Sequence, residues 1–142
     1  MDKQYDTLKL SHQLCFPLYA ASKEVVKRYK PFLDELDLTY TQYIAMMVLW
    51  EHPTISAKDM GEQLFLDSGT LTPVLKSLEA KGYVVRRRSD EDERVLMCSL
   101  TPTGLALRDK ATSVPPRIAA CIHLSPEEGI ALYSLLYKIL GK

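Results

Sequence analysis

The segment from residue 55 to residue 101 constrains the fold of this chain more than any other, because two short helix patterns are followed there by a charged hairpin pattern. The first helix pattern has Ser56 as its N-cap, Met60 and Leu64 as a short apolar face, and a stop near Phe65. This pattern predicts a short helix at the start of the segment.

The second helix pattern begins at Asp67 or Ser68, both cap candidates, and stops at Gly82, a residue typical of the position after a helix. Its buried stripe repeats at the helical period and consists of Leu71, Val74, Leu75 and Leu78. Pro73 removes one backbone hydrogen bond, which a helix tolerates best in its first turns. The opposite face carries short hydroxyl groups and one lysine, which suit bases and phosphates: Ser68, Thr70, Thr72, Lys76 and Ser77.

The hairpin pattern joins two strands, 83–88 and 95–100, through a turn at 89–94. The turn is acidic, and the arginines that bracket it are Arg86, Arg87, Arg88 and Arg94. An arginine at a hairpin tip suits the DNA minor groove. Helix, helix and hairpin in this order predict a winged helix-turn-helix that reads DNA, within a fold that is mainly α with a small β-hairpin wing (α+β). The alternative is a solvated surface hairpin of mixed charge.

Length and charge set limits on the class of protein. The 142 residues fit one domain, 1–142, and 18 basic residues balance 18 acidic ones, so a DNA-binding face must concentrate its positive charge locally. No apolar run approaches ~18 residues, so we expect no membrane span and a cytoplasmic protein. Three cysteines, an odd number, argue against a disulfide framework. No metal-ligand spacing and no catalytic motif is present, so we expect no metal, no cofactor and no enzyme activity.

Further helices are predicted before this module. A long helix over 8–29 is interrupted by Pro17, which either kinks the helix or opens it at the first helical position. In the second case Cys15 lies at a helix N-terminus, where the helix dipole favours a thiolate. Short helices over 31–36 and 41–51 follow.

Helices are also predicted after the module, beginning with one that Thr101 caps and that ends near Thr112. The remaining elements are a break at Pro115-Pro116, a turn or short helix over 117–123, and a helix over 126–140 capped by Ser125. The segments 8–36 and 102–142 carry more apolar helix surface than the module, 37–101, can cover. They therefore predict a homodimer, which places two recognition helices in successive major grooves of a pseudo-palindrome.

Cys15 shares a face of its predicted helix with two tyrosines. Tyr19 follows one turn later, and Tyr29 lies fourteen residues after Cys15, about four turns along, on nearly the same face. Phenol hydroxyls donate hydrogen bonds that favour a thiolate, and a thiolate is the species that attacks peroxides. The alternative is a buried cysteine among core tyrosines. Cys98 lies on an apolar strand face and is expected to be structural, whereas Cys121 fits either a core position or a resolving thiol.

Four stretches of the chain carry a family resemblance: LCFPLYAASKEV, LDLTYTQYIAMMVLWE, LDSGTLTPVLKSLEAKGYVVRRRSDEDER and LTPTG at the entry to the helix after the wing. They resemble the MarR family, and most of all its organic-hydroperoxide-sensing, OhrR-type repressors. The resemblance runs from about Leu14 to Gly104. Pro17 departs from the small residue usual at its position in that branch.

The resemblance implies a homodimeric repressor that holds its operator when reduced. Cys15 matches the peroxide-reactive cysteine, and Tyr29 and Tyr40 match the tyrosines that hydrogen-bond its thiolate from the partner subunit. Tyr19 matches a nearby residue that also supports the thiolate. Cys121 falls about where two-cysteine members carry a resolving cysteine, which favours that type.

The resemblance also implies how the wing works, since Asp92 and Arg94 match a pair in which the acid orients the arginine for the minor groove. The other candidate DNA contacts, on the second helix and the wing, are Ser68, Thr70, Thr72, Pro73, Lys76, Arg86 and Arg88.

These inferences predict a redox-switched repressor whose reduced dimer binds a pseudo-palindromic operator and leaves it when an organic hydroperoxide oxidises Cys15. Two alternatives stay open. One is a MarR-type regulator that a phenolic ligand releases without cysteine chemistry. The other is a thiol peroxidase whose winged module is incidental.

Overall fold

A computed structural model describes residues 3–142, and the first two residues of the predicted domain lie outside the described residues. Two 3-10 turns, Lys3–Leu8 and Leu10–His12, come first. The helices are α1 (Cys15–Asp34), α2 (Tyr40–Glu51), α3 (Ala57–Leu64), α4 (Ser68–Ala80), α5 (Pro102–Ala111), α6 (Val114–Ile122) and α7 (Pro126–Ile139). The strands are β1 (Thr54–Ser56), β2 (Val84–Arg88) and β3 (Leu96–Leu100). The predicted fold class is confirmed.

Helix α1 differs from the helix predicted over 8–29 at both ends. It starts at Cys15, because 3-10 turns occupy the chain before it. Pro17 therefore lies in the first turn, where backbone N–H groups have no intrahelical partner, and it takes neither of the two predicted roles. The helix continues through Pro31, so the separate helix predicted over 31–36 is largely the end of α1.

The wing is a three-stranded sheet, where the sequence predicted a two-stranded hairpin. β1 and β2 both pair antiparallel with β3, which gives the order β1-β3-β2. Cys98 lies in register with Ile55 on one side and Arg86 on the other. The sequence did not reveal β1, because three residues are too few to show alternation and its last residue also caps a helix. The Ser56 Oγ accepts a hydrogen bond from the Asp59 backbone N–H at 3.0 Å.

Side-chain caps start the other helices where the sequence indicates. Asp67, and not Ser68, caps α4, with Oδ1 accepting a backbone N–H of the first turn at 2.7 Å. Thr101 caps α5, and Ser125 caps α7 through a reciprocal capping box. Gly82, with φ 82°, follows the C-cap of α4, and this confirms the predicted stop.

The two prolines after α5 begin a helix, although the sequence predicted a break there. Helix α5 already ends at Ala111, and Pro115 and Pro116 lie in the first turn of α6, where their missing N–H groups cost no hydrogen bond. Most of the segment 117–123 is consequently helical.

One hydrophobic core joins the end of α1, the helices α2 to α5, the start of α6 and the sheet. Its large, fully buried side chains are Leu33, Met46, Leu49, Met60, Leu75, Leu78, Val84, Cys98 and Val114. Helix α7 and the 3-10 turns place no residue in this core. Between residues 3 and 142, no helix has the length and apolar character needed to cross a membrane.

Candidate functional site

The outer face of α4 presents most of the predicted contacts for bases and phosphates. Ser68, Thr70, Pro73 and Lys76 are exposed. Thr72 is half-buried, and its Oγ1 donates a hydrogen bond to the Ser68 carbonyl at 2.7 Å. An open cleft separates this face from the wing, so the arrangement suits a nucleic-acid backbone more than an enclosed ligand.

The wing tip directs one arginine outward by means of one aspartate. Asp92 accepts hydrogen bonds from the Arg94 backbone N–H and Nε through Oδ1, at 3.0 Å each, and from Nη2 through Oδ2 at 3.2 Å. These bonds hold the pKa of the Asp92 carboxyl below its usual value, so the carboxylate stays ionised. The Arg94 side chain is 90% exposed, so the cation is oriented without being buried. Arg88 is also exposed.

Arg86 does not join this exposed set. Its side chain is only 19% exposed, and its Nη2 lies 3.1 Å from Oε1 of Glu79, near the end of α4. The Arg86 backbone N–H donates to the other oxygen of the same carboxylate at 2.9 Å, and both contacts lower the pKa of Glu79. The ion pair therefore holds β2 of the wing against the end of α4, the helix predicted to be the recognition helix that enters the DNA major groove. Ser77, expected on the outer face, is also turned inward and accepts a hydrogen bond from Gln42 Nε2 at 2.8 Å.

Cys15 is the first residue of α1 and is exposed, which excludes a buried structural role within one protomer. Tyr19, one turn later, is 60% exposed. The Lys23 Nζ lies 3.5 Å from the Tyr19 Oη and 5.2 Å from the centre of its ring. The start of α1 thus presents a thiol, a phenol and an ammonium group to its surroundings.

Three tyrosines form a cluster at the other end of α1. The ring centre of Tyr29 lies 5.0 Å from that of Tyr40 and 5.8 Å from that of Tyr43. Burial and the two neighbouring phenols raise the pKa of Tyr29 to about 12, and burial raises that of Tyr40, so both phenols stay protonated and able to donate. Tyr43 was not singled out from the sequence, although it follows Tyr40 by three residues in a helix.

The predicted alignment of Cys15 with Tyr29 does not bring the two together within one protomer. Fourteen residues of helix span about 21 Å, so a shared helical face is not a contact. The phenols of Tyr29 and Tyr40 meet each other and leave their own Cys15 far away.

Cys121 is half-buried on α6, against the second half of α1. Its carbonyl accepts a hydrogen bond from the Arg28 Nη1 at 2.6 Å. Arg117 on α6 pairs with Glu35 through two bonds, of 2.7 and 3.0 Å. Cys121 is thus held beside Arg28, which lies about 20 Å along α1 from Cys15, and an arginine side chain is too short to bridge that distance. A disulfide needs the two Cα atoms within about 7 Å of each other. A Cys15–Cys121 disulfide within one protomer is therefore excluded.

Cys98 is fully buried, and burial raises the pKa of its thiol to about 11, so it stays protonated and unreactive. This agrees with the predicted structural role. Among residues 3–142, no group of three or more His, Cys, Asp or Glu side chains is arranged to hold a metal ion.

The helix pair α3–α4, the small sheet and the long flanking helices define the class of winged-helix transcriptional regulators. Comparisons with known proteins agree. The sequence model of the family "Transcriptional regulator SarA/Rot" matches residues 27–110. The chain is 51% identical over 140 residues to the organic hydroperoxide resistance transcriptional regulator of Bacillus subtilis, covering 99% of this chain and 95% of that one. It is 43% identical over 133 residues to the regulator SarZ of Staphylococcus aureus, covering 94% and 90%.

Solved structures of AbfR, from Staphylococcus epidermidis, are also similar. Reduced AbfR bound to DNA is 33% identical, covers 97% of this chain and 96% of its own, and superposes with a TM-score of 0.78. The disulfide-formed AbfR is 32% identical, covers 96% of each chain, and gives a TM-score of 0.66. The chain belongs to the MarR family of transcriptional regulators, in its organic hydroperoxide resistance branch, as the resemblance implied.

Proposed function

We propose that the chain is a thiol-switched, DNA-binding repressor that works as a homodimer in the cytoplasm. Its reduced form holds a pseudo-palindromic operator, and oxidation of Cys15 by an organic hydroperoxide releases it. The observation that carries the proposal is that the thiol and the phenols of the sensing site lie far apart within one protomer. Each protomer offers an exposed thiol at one end of α1 and a pair of neutral phenol donors at the other end.

Unpartnered apolar surface supports the homodimer. The exposed large apolar residues of the N-terminal region and α7 include Tyr5, Leu8, Leu10, Leu14, Phe16, Ile130, Leu132, Tyr133, Leu135 and Ile139. So many exposed apolar side chains on elements outside the core mark an interaction surface. A two-fold related copy covers this surface, and the same contact brings Cys15 of one subunit to Tyr29 and Tyr40 of the other.

DNA binding is supported by the exposed α4 face, by the outward Arg94 and by the solved structure of a relative, reduced AbfR bound to DNA. We propose that Ser68, Thr70 and Lys76 enter the major groove and that Arg94 enters the adjacent minor groove. Because the chain is neutral overall, affinity depends on these few cations, and binding weakens as salt rises.

The sensing step is attack of the Cys15 thiolate on the peroxide. The O–O bond breaks, sulfur is oxidised by two electrons to a sulfenic acid, and the peroxide leaves as an alcohol after taking up a proton. Phenol hydroxyls from Tyr29 and Tyr40 of the other subunit stabilise the thiolate before the reaction. The larger sulfenic acid no longer fits between these donors, so α1 and α6 shift. The two wings then lose the spacing that both half-sites of the operator require.

Cys121 of the other subunit then resolves the sulfenic acid. Its thiol attacks the oxidised sulfur, an S–S bond forms, and water leaves. The position of Cys121 beside Arg28, in the second half of α1, supports this role, since Cys15 of the other subunit must approach the half of α1 that carries Tyr29. AbfR, a relative of this chain, has a disulfide-formed state.

The test is fluorescence anisotropy on DNA from upstream of the protein's own gene. Reduced wild-type protein should bind, and an organic hydroperoxide should release it, whereas Cys15→Ser protein should bind and stay bound. Cys98→Ala is the matched control and should behave like wild type, because Cys98 is fully buried and its thiol stays protonated. Release of the Cys15→Ser protein by peroxide would contradict the proposal.

A further inference from the structure

One buried side chain, Gln42, connects the start of α2 to the end of the recognition helix. Gln42 is 7% exposed. Its Oε1 accepts from the Thr39 backbone N–H at 3.0 Å and from the Lys81 Nζ at 3.2 Å, and its Nε2 donates to the Ser77 Oγ at 2.8 Å. Gln42 is the third residue of α2, Ser77 lies in the last turn of α4, and Lys81 is the C-cap of α4. The Gln42 amide thus holds the start of α2 against the C-terminal end of α4.

Lys81 extends this contact to the turn between α1 and α2. Its Nζ also donates to the backbone carbonyl of Asp37 and lies 3.6 Å from the Asp37 carboxylate. Asp37 has φ 54°, a left-handed conformation that a non-glycine residue adopts only when its surroundings favour it. The turn that leads from α1 into α2 is therefore fastened to the C-terminal end of α4.

The tyrosine cluster lies on the same turn of α2 as Gln42. Tyr40 and Tyr43 are on either side of it in sequence, and Tyr29 of α1 packs on both. A displacement of the packed cluster as a unit therefore carries with it the first turn of α2, which holds Tyr40, Tyr43 and the Gln42 amide. Because the amide is buried and bonded to both Ser77 and Lys81, α2 cannot shift without either moving the end of α4 or breaking these two hydrogen bonds.

We propose that Gln42, together with Ser77 and Lys81, is the positioning contact that transmits displacement of the tyrosine cluster to the recognition helix. This inference rests on the proposed function, since it concerns how the sensing site is coupled to DNA. Gln42 touches neither the thiol nor the α4 outer face. Its effect is on the difference between the DNA affinities of the reduced and oxidised states.

The test compares wild type with Gln42→Leu and Ser77→Ala. For each protein, three quantities are measured: the rate of Cys15 oxidation by peroxide, the DNA Kd of the reduced form and the DNA Kd of the oxidised form. We expect the oxidation rate to be unchanged, and the ratio of oxidised to reduced Kd to fall by at least about fivefold relative to wild type, the lower range of site-to-site coupling. A merely structural role would lower stability and leave this ratio unchanged.

The matched control is Trp50→Phe. Trp50 lies at the opposite end of α2, and its Nε1 donates to the Gly104 carbonyl at 2.9 Å, so the substitution removes one polar contact of the same helix. The Trp50 ring also packs edge-on against Tyr43, with ring centres 6.4 Å apart, and phenylalanine keeps an aromatic ring at that position. It should keep the wild-type Kd ratio despite reduced stability.

A wild-type Kd ratio in both Gln42→Leu and Ser77→Ala overturns the inference, and so does a loss of coupling in Trp50→Phe of equal size. Should Gln42→Leu fail to fold, Ser77→Ala decides alone, because it deletes only a hydroxyl group. Failure of the proposed function gives a different result: wild-type protein is then not released by peroxide, and there is no ratio to reduce.

Discussion

Asp92 and Arg94 let a chain with no net charge present one well-placed cation. The aspartate satisfies three donors of the arginine and leaves the guanidinium exposed, so orientation is gained without the cost of burying a charge. Arg86 shows the opposite use of the same residue type, because its guanidinium is committed to Glu79. Residue type alone could not separate these two arginines, which lie on one short hairpin.

Arg94→Ala should weaken binding of the reduced protein to its operator by roughly 1–3 kcal/mol and reduce the salt dependence by about one ion. Asp92→Asn should weaken binding by less than Arg94→Ala does, because the cation is kept and only its orientation is lost. Anisotropy titrations at several salt concentrations measure both. Glu91→Gln, a control at the same tip, removes a negative charge and should leave binding equal or stronger. Weakening by Glu91→Gln equal to that by Asp92→Asn would contradict the orienting role.

The raised pKa of the Cys98 thiol predicts how the free energy of unfolding depends on pH. Burial raises the pKa of this thiol from 9.0 to about 11, so the folded state keeps a proton that the unfolded state releases as pH rises above 9. The free energy of unfolding must therefore fall between pH 9 and about 11. Cys98→Ala should lack that part of the decline, as chemical denaturation at intervals of pH would measure. Parallel curves for the two proteins through this range would contradict the assignment.

At the level of elements, the sequence predicts best where capping residues and apolar periodicity agree. The starts of α3, α4, α5 and α7 follow from Ser56, Asp67, Thr101 and Ser125. The predicted start of α1 was wrong because 3-10 turns occupy residues that were expected to be helical, and its predicted end was wrong because Pro31 was taken as the start of a new helix. β1 was missed because its pairing with β3 is a tertiary contact that three residues do not encode locally.

Glu79→Gln tests the link between the wing and the recognition helix. Losing the charge weakens the contact with Arg86 and should lower the free energy of unfolding only modestly, because the pair is partly exposed and screened by solvent. DNA affinity should fall because the wing is less firmly held, while the rate of Cys15 oxidation should not change. Glu62→Gln, an exposed acid on α3, is the control. A slower oxidation rate in Glu79→Gln would show that the link has another role.

At the scale of the whole molecule, the candidate sensing site could be predicted only in part. The sequence pointed to Cys15 and Tyr29 through a shared helical face, but a face specifies direction and not distance, and about 21 Å of helix separates them. The resemblance supplied an expectation that periodicity could not, namely that the tyrosines serve the thiol of the partner subunit. The fold is consistent with that arrangement, since the thiol and the phenols lie at opposite ends of one helix and the apolar residues of the N-terminal region and α7 are exposed.

The most direct test of the shared site is the rate of Cys15 oxidation in mixed dimers purified through two different tags. In the first dimer, one subunit carries Cys15→Ser and the other carries Tyr29→Phe with Tyr40→Phe. In the second dimer, one subunit carries all three substitutions and the other is wild type. Each dimer has one Cys15 and one pair of phenols, and only their distribution between the subunits differs.

If the site is formed between subunits, the first dimer oxidises its single thiol at the wild-type rate. The second dimer reacts roughly 10–100-fold more slowly, the effect of losing hydrogen bonds to a charged group. The reverse order of rates, or equal rates in the two dimers, would contradict a sensing site shared between subunits.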